Sequence, residues 1–170
     1  MNVGEMTRGQ LLALEYAEES KITRSLLERI PADKWNWKPH EKSWSMGNLG
    51  SHLVDIFSWV KPTLDLDELV LNPGEFTPFV AEDKDELLAT FDTNLGEALD
   101  AIRETTEEQL MAIWRMKSNG QLIFEMPRAA VIRIMIINHT IHHRAQLGIY
   151  LRLNDVPVPK SYGPTADEMF

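Results

Sequence analysis

The chain contains no cysteine. Disulfides, thiolate metal ligands and a cysteine nucleophile are therefore excluded, and any thiol chemistry must use a thiol brought from outside. Basic residues are scarce relative to acidic ones: 17 Lys and Arg against 26 Asp and Glu leave a net charge of −9. Phosphate backbones are bound through clustered Lys and Arg, and with no basic stripe present a nucleic-acid partner is not expected. No uncharged apolar run is long enough to span a bilayer, and MNVGEMTRGQLLALEYAEES lacks the basic region, apolar core and small-residue cleavage site of a secretory leader. A cytoplasmic protein with no membrane partner is the expectation. Internal repeats and low-complexity tracts are also missing.

What is present suits a globular domain. The 170 residues are 44% hydrophobic, and a chain of this length can bury about 70% of the surface its unfolded form exposes. A single domain over residues 1–170 is expected. Helical spacing predicts a first helix over Thr7–Ile30, with Leu11, Leu14, Ile22 and Leu26 facing inward, Glu18 in the same phase and Pro31 as the stop. The stretch PADKWNWKPHEKSWS reads as a connection, and Ser45 as the N-cap of a second helix over Met46–Leu64. Asp65–Pro78 contains Asn72-Pro73-Gly74 and reads as a turn-rich crossover. A third helix over Asp83–Glu104 is marked by Leu88, Phe91, Leu95, Ala98 and Ile102, with an acidic start that suits the positive end of its dipole. Asn119-Gly120 between Trp114–Lys117 and Gln121–Glu125 predicts a small β-hairpin, and Pro127 opens a fourth helix over Arg128–Leu153. The expected class is all-α, a four-helix bundle with a hairpin between its third and fourth helices.

Three histidines lie where apolar side chains are expected. At roughly 100° per residue, His139 and His143 project from one face about a turn apart, near the directions of Ile132, Ile136 and Tyr150. His52 falls in the stripe Leu49, His52, Leu53, Ile56, Val60. Inward imidazoles need partners, and three of them form a suitable shell for a divalent cation with a fourth position left open. Three nitrogens accept zinc, nickel, iron or copper. His142 points off that face and, like His40, is expected to be exposed. By helical spacing, Asp55 and Gln146 are the polar side chains nearest the cluster and are candidates to hold the imidazoles or act in catalysis. Glu18 is a candidate general base. Arg144 reads either as a partner for a substrate carboxylate or as an ordinary surface ion pair, and Trp44 as a packing anchor at a helix start.

These residues carry a resemblance. NHTIHHRAQLGIYLRLNDVPVPKSYGPTADE is similar to the C-terminal signature of the DinB-like family (DinB/YfiT-like metalloenzymes), and SWSMGNLGSHLVD to its second-helix motif, in which a tryptophan and a glycine precede the first metal histidine. The family is unrelated to the DNA polymerase that shares the label. The resemblance implies an up-down-down-up bundle, a homodimer, and a divalent metal such as zinc or nickel held by His52, His139 and His143. It further implies a metal-dependent enzyme acting on a small-molecule substrate. Members of the wider family include transferases joining low-molecular-weight thiols to electrophiles and a thiol-dependent isomerase, so thiol transfer in detoxification or stress response is the expected activity. A hydrolase using activated water, or a non-catalytic dimer with a structural ion, are the alternatives. The dimer would use the exposed stripe of the first two helices with the Pro-rich tail.

Overall fold

The computed structural model describes residues 6–72 and 74–169. Helix α1 (Arg8–Leu27) starts with a reciprocal cap: the Gln10 amide donates to Thr7 Oγ1 at 3.2 Å and the Thr7 amide to Gln10 Oε1 at 2.9 Å. Its buried face differs from the one its leucines suggest. Leu11 and Leu14 are 43% and 49% exposed, while Ala13, Tyr16, Ser20, Thr23, Leu26 and Leu27 turn inward. Small residues set that choice, because they let helices approach closely. A Cβ on Gly9 would stand 2.6 Å from the Ile102 carbonyl oxygen.

The predicted second helix is two. Helix α2 (Met46–Ser58) is capped by Ser45, whose hydroxyl accepts from the Asn48 amide at 3.1 Å, and α3 (Val60–Asp65) follows after Trp59. Pro62 explains the break: it has no amide for the Ser58 carbonyl, and its ring crowds that same oxygen. The crossover is more ordered than a turn-rich segment implies, since β1 (Glu68–Val70) pairs in parallel with β2 (Ile113–Ser118).

Helix α4 (Lys84–Glu104), capped by Asp83, buries Leu87, Phe91, Ala98 and Ile102. A short α5 (Glu107–Met111), unforeseen from periodicity, leads into β2 through a capping box at Thr106 and Gln109. Strand β3 (Gln121–Pro127) returns antiparallel to β2. The hairpin turns at Asn119 and Gly120, with φ of 49° and 74°, the left-handed conformation that Asn-Gly favours. Met116 opposes Phe124 and Lys117 opposes Leu122, so Ile123 is an extra residue that bulges the strand. The sheet order is β1-β2-β3.

The predicted fourth helix begins as α6 (Arg128–Val131), continues as a π-helical segment (Ile132–Ile137) and ends as α7 (Asn138–Leu153). Arg128 fastens its start to the end of α3: Nε donates to the Thr63 carbonyl at 2.9 Å, and Nη2 to the Leu66 carbonyl at 3.0 Å and to Asp67 Oδ1 at 2.9 Å. The molecule is mostly helical with this small sheet. Helices α1, α4, α2 and α7 pack as a cycle of neighbours around an apolar core that includes Tyr16, Leu53, Phe57, Phe91, Ile102, Ile136 and Leu147. Tyr16 stacks on Phe57 with ring centroids 4.8 Å apart. No described helix is long and apolar enough to cross a membrane.

Candidate metal centre

The face of α2 that buries Leu49, Leu53 and Ile56 also carries His52, and α7 packs against it with His139 and His143 one turn apart. The three imidazoles converge. His139 Nε2 lies 3.3 Å from His52 Nε2 and 2.8 Å from His143 Nε2, and each residue offers a ligand atom within 4.8 Å of the others.

The outer nitrogens of the α7 pair are tied back. His143 Nδ1 donates to Gln146 Oε1 at 2.7 Å, and His139 Nδ1 donates to the Met135 carbonyl at 3.3 Å, a longer bond. With the ring proton on Nδ1, each Nε2 lone pair faces its neighbours. Burial pushes the His52 pKa down to about 4, with His143 and His139 adding to the effect. Burial lowers His139 and His143 as well. All three are therefore neutral near pH 7, the form that ligates metal. Neutral lone pairs crowded together repel, and a cation between them would remove that repulsion. A tetrahedral ion with bonds of roughly 2.0–2.1 Å sets its nitrogens about 3.3 Å apart. The His52–His139 separation matches that spacing; the His139–His143 pair is tighter and needs a small ring rotation. The donor set and its spacing fit a divalent cation.

Two tryptophans wall the cluster. Trp44 sits with ring centroids 4.7 Å from His52 and 5.6 Å from His143, and is itself 47% exposed. Its contact with the imidazoles goes beyond the packing anchor expected of it. Trp59, which sequence reasoning missed, lies 5.8 Å from His52 and 5.5 Å from His139. Its position seven residues after His52, two helical turns on the same face, was an available signal.

Of the other expected residues, Gln146 reaches the cluster and also donates from Nε2 to His142 Nε2 at 3.2 Å. Asp55 is buried but serves the indole: Trp59 Nε1 donates to Asp55 Oδ2 at 3.3 Å, and burial raises the carboxyl pKa. Glu18 is exposed and paired with Lys21 at 2.5 Å. His40 and His142 are exposed. Arg144 corrects the expectation of a surface or substrate-facing arginine. Only 3% exposed, it meets Glu19 Oε2 at 2.7 Å and donates to the Glu19 carbonyl and Tyr162 hydroxyl, both at 2.8 Å. Both Nη groups of its guanidinium are engaged inside the protein.

Comparison with known proteins gives one consistent result. The model of the DinB family matches residues 5–169. The uncharacterized proteins YjoA and YrdA of Bacillus subtilis are each 23% identical over 156 residues; the matches cover 86% of this chain and 91% of YjoA, and 88% of this chain and 85% of YrdA. Among solved structures, a DinB-like protein from Bacillus cereus superposes with a TM-score of 0.70 at 19% identity, covering 89% of this chain and 95% of that one. The B. subtilis YjoA structure gives 0.69 at 21%, covering 89% and 96%. At these identities the structural likeness speaks for the fold.

Proposed function

Because the chain belongs to the DinB family and brings three neutral imidazoles to one point, we propose that it is a divalent-metal-dependent enzyme, with His52, His139 and His143 as the ligands. The observation that carries this reading is the convergence of the three Nε2 atoms at a rim where Trp44 meets solvent. Zinc or nickel is the proposed ion, with iron or copper as alternatives that the same nitrogens accept. When bound, such an ion stabilises the deprotonated form of a coordinated thiol or water near neutral pH.

The proposed reaction is S-transfer to a small electrophile. The sulfur of an external low-molecular-weight thiol forms a bond to the acceptor carbon, the leaving group departs with the electrons of the broken bond, and the thiol proton is released. The chain supports this with position and exclusion of water. Gln146 and the Met135 carbonyl keep the α7 imidazoles in one tautomer and orientation. Trp44 and Trp59 pack against the imidazoles from two sides, Trp44 at the solvent rim. The imidazoles themselves do not shuttle protons, because the nitrogen facing the cluster is committed.

The matching topology is an up-down-down-up bundle, supported by the long crossover between α3 and α4. A homodimer in the cytoplasm belongs to the same proposal, with Leu11 and Leu14 of α1 as its apolar face; α2 is almost wholly buried and offers no such stripe. A monomer at micromolar concentration in gel filtration would contradict the dimer. The activity is tested with metal-loaded protein, a panel of cellular thiols and a chlorinated aromatic acceptor. Thiol-dependent release of chloride that disappears in His143→Ala supports transfer. Ester hydrolysis without any thiol requirement would instead assign a hydrolase, and a fully loaded protein with neither rate would assign the ion a structural role.

A further inference from the structure

A second feature shares one wall, Trp59, with the histidine cluster, although none of the three histidines lines it. Between the sheet, α3 and the π-helical segment lies a cavity of about 190 Å³. Trp59 is a wall of this cavity and also packs on His52 and His139. Met135 lines it too, and its carbonyl oxygen holds His139 Nδ1. Leu71 of the crossover and Met116 and Phe124 of the hairpin line it as well.

We propose that this cavity receives the uncharged apolar group, a single substituted aromatic ring or branched aliphatic group of that size, of a small electrophile whose reactive atom is presented to the three histidines. The inference rests on the metal-dependent reading of the site and specifies its substrate class. Among the described residues, no charged side chain lines the cavity. Its two hydroxyls are committed to backbone: Ser58 Oγ donates to the Asp55 carbonyl at 2.7 Å and Thr63 Oγ1 to the Trp59 carbonyl at 2.8 Å. A carboxylate or ammonium placed there would lose its hydration with nothing in return. The size is also selective, because an apolar cavity of about 150 Å³ in another protein stays dry and accommodates benzene. A thiol that carries charge is excluded from the cavity on the same ground, which leaves the cavity to the acceptor.

The test is ¹⁹F NMR titration of 4-fluorotoluene with the full-length protein, metal-free and cobalt(II)-loaded. A saturable shift is expected for the wild type and for Met116→Leu. Leu71→Trp, which fills the cavity, and Met116→Asp, which charges it, are each expected to weaken binding at least tenfold while thermal melts confirm that they fold. In cobalt-loaded wild type the bound probe's line is expected to broaden strongly; in His143→Ala the probe should bind with little change and no broadening. No saturable shift, unchanged affinity in both filled and charged variants, or a sharp line from a probe bound beside loaded cobalt would each overturn the proposal. Cobalt uptake is followed by its own visible absorption. Protein that takes up no cobalt fails the metal reading, whereas protein that takes it up and leaves the line sharp fails this one.

Discussion

His143 shows how one residue's chemistry is set by its neighbours: Gln146 accepts its Nδ1 proton and so turns the Nε2 lone pair toward His52 and His139. Removing such a partner frees the ring to rotate and lowers its basicity, which typically costs 10–100-fold in metal affinity. Gln146→Ala should accordingly weaken metal binding by about that factor, read by competition with a chelator of known affinity, while thermal stability changes little. The buried imidazoles also predict a pH response. His52 titrates at about 4 in the fold rather than 6.5, so between those values the unfolded chain binds more protons. Stability from keeping these rings neutral is complete above pH 6.5 and is lost as pH falls toward 4. Asp55 acts in the opposite sense, since its raised pKa makes protonation favour the fold. The melting temperature of metal-free protein should therefore drop from pH 6.5 to 4, and drop less in His52→Gln. Equal slopes would contradict the assignment. The three histidines and Gln146 were legible because helical spacing alone places them. The serving of Trp59 by Asp55 was not, since it depends on which way a buried carboxyl rotates.

At the scale of elements, the start of α2 is held by the connection before it. The Met46 amide donates to the Trp37 carbonyl and the Gly47 amide to the Trp35 carbonyl, both at 2.9 Å. A Cβ on Gly47 would lie 2.4 Å from the Trp35 ring. Gly47→Ala must push the indole aside, and overpacking of this kind costs about 1–3 kcal/mol. Denaturant melts should register that loss, and because His52 lies on the same helix, metal affinity should fall with it. An unchanged midpoint would show that the indole moves freely. The hairpin was readable from Asn119-Gly120, whose positive φ angles name the turn. The break at Trp59 was readable in principle from Pro62. The π-helical segment was not, because Ile132–Ile137 is a run of apolar residues and one arginine whose extra residue per turn leaves no mark on composition. Strand β1 escaped for another reason: three residues of a parallel edge draw their stability from a partner over 40 positions away.

Across the whole molecule, the tail after α7 is an integral layer. Arg144 binds Glu19 and Tyr162, Tyr162 donates back to Glu19 at 2.8 Å, Arg29 pairs with Glu168, and Arg152 with Asp167. Most of these ion pairs are partly exposed and contribute little. The Arg144–Glu19 pair is the exception because both partners are largely buried. Arg144→Met leaves Glu19 without its cation, and breaking a buried pair from one side costs about 3–5 kcal/mol. Calorimetry should show a marked fall in melting temperature, with metal stoichiometry kept in whatever fraction remains folded. A surface arginine, as spacing alone suggested, would shift it by almost nothing. Sequence periodicity cannot see such a pair, since it depends on a tail folding back over helices far away in the chain.

The central claim is that three imidazoles from two helices share one cation. Its most direct test is elemental analysis of protein purified without an affinity tag, alongside His139→Ala prepared identically. About one equivalent of a single divalent metal per wild-type chain, falling below a tenth in the variant, is the expected result. Wild-type protein that stays metal-free after incubation with zinc or nickel, or a variant that retains the same content, would contradict it.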